Sequence, residues 1–148
     1  MNDIAWEITH SVDAGVTPIF AWTYMTNVAN WDDPPATFEL DGPFAAGSRG
    51  TTHIPGQEPR NWYVREVNPI TSYILGMAFD RADMSVEWRF EARPDGNARL
   101  TQHIILSGEN GPAYVEQVRP VFTSTLAPGM TRIAAAMERA SSGPPPCP

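Results

Sequence analysis

Three histidines, one cysteine and a few clustered aspartates are the residues of this 148-residue chain whose types could carry nucleophilic, acid–base or metal chemistry. Their spacing argues against most of it. His10, His53 and His103 fall on three separate predicted strands, no two at ligand spacing, and no cysteine or acidic pair accompanies them, so no metal site is expected. Cys147 is the single cysteine and stands next to the C-terminus, where it has no disulfide partner and no fixed neighbours to activate it. Asp32-Asp33, Asp80 and Asp83 each lie at an element end beside proline or another turn residue, which reads as solvated capping rather than as paired carboxylates. Gly42, Gly47 and Gly50 lack a following Lys-Ser/Thr and open a strand rather than a helix, so the geometry that binds phosphate is missing; a turn with close backbone packing is the simpler reading. All ten basic residues are arginine, which excludes Schiff-base chemistry and a P-loop lysine.

What remains for proton transfer is a histidine in a pocket, His53 or His10. By strand alternation His10 faces inward with Trp6 and Ile8 and His103 points outward, while His53 has no assignable face. Gln102 is the more informative residue. It interrupts an apolar face made by Leu100, Ile104 and Leu106, and a buried amide needs a partner, either a neighbouring side chain or a ligand. Arg65 and Arg89 fall on outward faces and are expected to pair with surface carboxylates.

The elements that must position these groups follow from periodicity. Residues 4–12 alternate as a half-buried strand. Thr17-Pro18 then opens one or two short helices reaching about Asn30. Strands are predicted over 36–41, 48–54, 60–67, 70–79, 83–92 and 98–107, separated by turn residues such as Pro94-Asp95-Gly96-Asn97. After Gly111 the period becomes helical: Phe122, Leu126, Met130, Ile133 and Met137 form one stripe. Pro120 and Pro128 lie inside that stretch and should kink or break it. The expected domain spans 1–140, with 141–148 a disordered tail.

This order gives an α+β fold, a curved antiparallel sheet of about seven strands gripping a long C-terminal helix, with two short helices after strand 1. Seven strands span about 30 Å and one helix about 10–12 Å, so the sheet must curl around the helix and the short helices must close one end. A curled sheet leaves space, and an apolar pocket of a few hundred Å³ is plausible among so many aromatics. Seventeen acidic residues against ten basic ones repel phosphate backbones and anionic lipid, so neither nucleic acid nor stable membrane insertion is expected. No apolar run approaches the roughly 20 residues of a bilayer span, and the N-terminus lacks a signal-peptide pattern. A cytoplasmic protein, monomer or homodimer, fits these facts.

Thr17-Pro18-Ile19-Phe20-Ala21-Trp22, Asn27-Val28-Ala29-Asn30-Trp31, Asp41-Gly42-Pro43-Phe44 with Gly47-Ser48-Arg49-Gly50, Val64-Arg65-Glu66-Val67-Asn68-Pro69, the hairpin around Gly96, Leu106-Ser107-Gly108 and Met137-Glu138-Arg139 follow one another at characteristic spacing. In that order they resemble the START-like, helix-grip or SRPBCC superfamily, within it the bacterial polyketide cyclase/dehydrase and lipid-transport branch. The resemblance covers residue 4 to about 140. It implies a cavity between sheet and C-terminal helix for a small hydrophobic molecule such as a lipid, polyketide or aromatic metabolite, with no cofactor. It puts Trp31, Tyr73, Met77, Trp88, Phe90, Gln102, Tyr114, Phe122 and Leu126 on the ligand-binding wall, with Ile133 and Met137 in solid core. Two alternatives stand beside a carrier. One is a cyclase/aromatase- or dehydratase-like enzyme in the same cavity, with His53 and Tyr73 as catalytic candidates. The other is a protein-interaction role like that of co-chaperone or toxin relatives. The fold hosts all three, so it does not choose among them.

Overall fold

The computed structural model describes residues 4–31 and 35–142. Asp32-Asp33, Cys147 and the rest of segment 143–148 lie outside the described residues. Strand β1 (Ile4–Ala14) is followed by helix α1 (Pro18–Met25) and a 3₁₀ turn (Val28–Asn30). Six strands come next: β2 (Thr37–Asp41), β3 (Arg49–His53), β4 (Arg60–Asn68), β5 (Ser72–Phe79), β6 (Ala82–Ala92) and β7 (Ala98–Ser107). A 3₁₀ turn (Gly111–Tyr114) leads into helix α2 (Val115–Ser142). The fold is thus the α+β arrangement expected. Helix α2 runs two residues into the segment assigned to the tail, through Ser141 and Ser142.

The seven strands form one antiparallel sheet in the order β1-β7-β6-β5-β4-β3-β2. From β2 onward each strand pairs with its sequence neighbour, as hairpin connections require. The exception is instructive: β1 and β2 are consecutive yet stand at opposite edges. The chain crosses between them through α1 and the 3₁₀ turn, and these close one end of the curl. Thr17 caps α1, its hydroxyl accepting from Phe20 N–H at 3.2 Å, and Pro18 supplies a preset first helical residue. Register shifts at Ile4/Trp6 in β1 and Val64/Glu66 in β4 add bend where the sheet must curve.

Alternation decides the two faces. Trp6, Ile8, His10 and Val12 of β1, Leu100, Gln102, Ile104 and Leu106 of β7, and Met84, Val86, Trp88 and Phe90 of β6 share the inner face. Helix α2 covers it with Val118, Leu126, Met130, Ala134 and Met137 buried. Met130 and Met137 are 1% and 0% exposed, and full burial of such a side chain stabilises by about 1.5–3 kcal/mol. The end of α2 is fastened to the end of β1, where Gly15 N–H donates to Glu138 Oε2 at 2.8 Å. On the outer face the charges pair as expected: Arg65 with Asp83 at 2.6 Å and Arg89 with Glu87 at 3.2 Å.

Of the kink or break expected at the prolines, the break does not occur: Pro120 and Pro128 both lie inside α2. Just after Pro120 the hydroxyls of Thr123, Ser124 and Thr125 donate back to the carbonyls of Arg119, Pro120 and Val121, bonds that do not replace the N–H missing at Pro120. Burial of Val118, Leu126 and Met130 on either side then holds the helical path despite the local penalty.

Candidate functional site

The strand registers place one line of side chains across the inner face. His10 stands opposite Gln102, Gln102 opposite Trp88, Trp88 opposite Tyr73, and Tyr73 opposite Val67. Three of these five residues are polar, in the middle of an otherwise apolar surface. Their surroundings differ along the line.

At the β1 end the line is half open. His10 and Gln102 are half-buried, and neither side chain hydrogen-bonds another described residue. Their neighbours toward the β1 start and the α2 start are half-buried as well. The Trp6 ring stacks on Phe122 at 6.3 Å, and Phe79 stacks on Tyr114 at 4.9 Å. Met77 lies on the same inner face in β5, opposite Met84, and is half-buried.

At the β5 end the line is closed. Tyr73 is 0% exposed. Its ring meets Phe44 at 4.9 Å, Phe90 at 6.0 Å and Trp22 of α1 at 6.1 Å. Trp88 and Phe90 are buried and stack at 6.4 Å. Within this aromatic cluster the Tyr73 hydroxyl has no hydrogen-bond partner. Burial pushes its phenol far above the ordinary tyrosine range, so the group stays a neutral O–H. It is built to donate a proton in a hydrogen bond and not to act as a base.

The remaining sequence candidates separate by position. His53 is on the outer face, opposite Thr37, with Nε2 3.4 Å from Glu39 Oε2. It therefore does not share a face with Tyr73. Register puts His10, of the two, on the inner face. His103 is outward, 2.8 Å from Glu7 Oε1. Trp31 stands apart from the line, at the β2–β4 end. Its Nε1 donates to Met25 O at 2.8 Å and its ring contacts Phe38 and Trp62 at 5.4 and 5.3 Å. On α2, Leu126 is buried, Phe122 is half-buried, Met137 is fully buried and Ile133 is half-buried. Among the described residues no group of histidine, cysteine and acidic side chains is placed to hold a metal ion.

Two residues of the site were not singled out by sequence. Trp22 and Phe44 close over Tyr73, yet both come from connections between strands, where periodicity carries no signal. The adjacency of His10 and Gln102 was equally hidden. Alternation put each on an inner face, but the pairing joins positions 92 residues apart in the chain, and only the sheet order supplies it.

Among the described residues, concavities of about 1070 and 370 Å³ indent the surface. The larger is lined mainly by outward side chains of β2–β4, among them Glu39, Asp41, Arg49, Thr51, Asn61 and Tyr63. The smaller lies between Glu66, Thr71, Glu87, Arg89 and Glu91. Both open on the outer face, whereas the sequence placed the hollow between sheet and helix. On the inner face His10, Gln102, Trp6, Met77 and Phe122 are half-buried. No helix among the described residues is long and apolar enough to cross a membrane.

No family model matches this chain, and no curated protein does. Solved structures do. A truncated norcoclaurine synthase from Thalictrum flavum superposes with a TM-score of 0.71 at 12% identity, covering 97% of each chain. The Zhui aromatase/cyclase from Streptomyces sp. R1128 gives 0.70 at 18% identity, covering 94% of this chain and 99% of that one. Protein NE0264 from Nitrosomonas europaea gives 0.68 at 11% identity, covering 90% and 95%. At these identities the likeness shows the fold alone: the chain shares the helix-grip fold of these structures, as its sequence motifs implied.

Proposed function

We propose that this chain binds a small, largely apolar molecule, a lipid, polyketide or aromatic metabolite, between the inner face of the sheet and the N-terminal half of α2. The observation that carries this reading is the pair His10 and Gln102. Both are half-buried on an apolar face and neither has a hydrogen-bond partner among the described residues. A polar pair held at the border of an aromatic surface loses solvation without gaining protein bonds, unless a bound molecule supplies them. Apolar contact with Trp6, Met77, Phe122 and Leu126 provides the affinity, at roughly 25 cal/mol per Å² removed from water. His10 and Gln102 orient the polar part of the ligand. The presence of an aromatase/cyclase and a norcoclaurine synthase among the structural neighbours is compatible with such a site. The same surface serves a carrier or a cyclase-like enzyme, and His10 is then the acid–base group within reach.

Titration with the neutral probe N-phenyl-1-naphthylamine, followed by NMR, tests this. The expected result is saturable binding that shifts the Gln102 side-chain amide and the His10 ring. The His53 and His103 rings, on the outer face, act as internal controls. Shifts confined to those two rings, or no saturable binding, overturn the proposal.

A further inference from the structure

The Tyr73 hydroxyl is the one buried side-chain polar atom among the described residues that lacks a hydrogen-bond partner. Its setting makes the omission specific. The rings around it, Trp22, Phe44 and Phe90, offer no lone pair. Trp22 and Phe44 pack at 68° and 78° to the Tyr73 ring, the edge-on geometry in which aromatic pairs gain most. The carbon skeleton of the residue is therefore well used. The oxygen is not: a phenylalanine would fill the same space without stranding an O–H, and an unpaired buried hydroxyl weakens a fold. Gln102, the nearest polar member of the same cross-strand line, is two strands away with Trp88 between.

We propose that the Tyr73 hydroxyl is the specificity-determining donor at the closed, β5 end of the inner face, apart from the His10–Gln102 end, selecting an aromatic ligand that carries a hydrogen-bond-accepting oxygen such as an aryl ketone carbonyl. This rests on the reading that the interior takes a small apolar molecule. Burial pushes the phenol above the ordinary tyrosine range, which favours the neutral O–H that can donate. Access is through Phe44. Trp22 is on α1 and Phe90 on β6, whereas Phe44 is half-buried on the β2–β3 connection between Gly42 and Gly47, both at positive φ. An incoming aromatic ring takes the place of the Phe44 ring against Tyr73 and brings its carbonyl to the O–H.

The pair fluorene and 9-fluorenone separates shape from hydrogen bonding, since they differ by one carbonyl. For the wild-type chain, 9-fluorenone should bind about tenfold more tightly than fluorene, the ratio of one net hydrogen bond. In Tyr73→Phe that preference should vanish while fluorene affinity is unchanged. The ligand-free variant should melt higher than the wild type, by about 2–4 °C, because the stranded hydroxyl is gone. Equal binding of the two probes by the wild type, with no effect of Tyr73→Phe, overturns this inference and leaves the binding site standing. Binding of neither probe removes the site and the inference with it. A ligand-free Tyr73→Phe that melts lower than the wild type shows that the hydroxyl already has a partner in the protein, and overturns the inference whatever the probes do.

Discussion

The indole of Trp62 lies directly against the α-carbon of Gly50, its register partner across the β3–β4 pair. A methyl group built on Gly50 would stand inside the indole ring. The ring has little freedom to withdraw: it is 3% exposed, its Nε1 donates to Thr52 Oγ1 at 3.1 Å, and Trp31 packs against it at 5.3 Å.

Gly50→Ala should therefore destabilise, by about 1–3 kcal/mol, the usual cost of forcing an extra methyl into a packed site. The sign is what matters. An ordinary glycine in a strand gains stability when replaced by alanine, because the unfolded chain loses freedom. Urea unfolding of the variant measures it, and a midpoint equal to or above that of the wild type would show that the Trp62 ring moves aside freely.

Helix α2 carries the opposite case in Pro128-Gly129. Pro128 has no N–H to give the helix, and Gly129 costs about 1 kcal/mol relative to alanine in a helix interior. A methyl on Gly129 would meet only the Arg132 Nη2 at 3.9 Å, an ordinary contact. Gly129→Ala is expected to stabilise by about 0.5–1 kcal/mol and Pro128→Ala by about 1–3 kcal/mol. Thermal melts of the two variants check this. A drop in stability for both would mean that the proline and glycine themselves suit the path α2 takes over the sheet.

Much of the fold was legible because it depends on local patterns. The alternation of Met84, Val86, Trp88 and Phe90 marks β6, the stripe from Phe122 to Met137 marks α2, and Thr17-Pro18 marks the start of α1. The site was legible only in part. Trp88, Gln102 and His10 could each be placed on an inner face, but their alignment in one row with Tyr73 depends on long-range register, which no local pattern encodes. His53 had no assignable face because β3 is five residues long and holds glycine and two threonines, leaving no hydrophobic alternation to read. The unbroken α2 was hidden for a related reason. Proline reports a local penalty, while the burial that offsets it comes from the sheet.

Asp13 gives the fold a defined response to acid. It stands at the end of β1, with Oδ1 accepting from Arg99 Nε at 3.0 Å and Oδ2 3.4 Å from Arg93 Nε. The hydrogen bond from Arg99, aided by the charges of both arginines, holds its carboxyl below the ordinary value of 3.8. Arg99 is correspondingly pushed up by Asp13. A carboxylate whose value is lower in the folded than in the unfolded chain stabilises the fold above the ordinary value, and that contribution is lost as pH falls through the lowered one. Asp13→Asn should therefore melt below the wild type at neutral pH, by a margin that stays flat down to about pH 5. The margin should shrink below pH 3.8 and close as Asp13 itself protonates. Because the pair is exposed, added salt should also narrow the margin at neutral pH. Melting curves of the two chains across pH and salt decide the matter. A margin independent of both would mean that Asp13 acts through packing at the strand end and not through its charge.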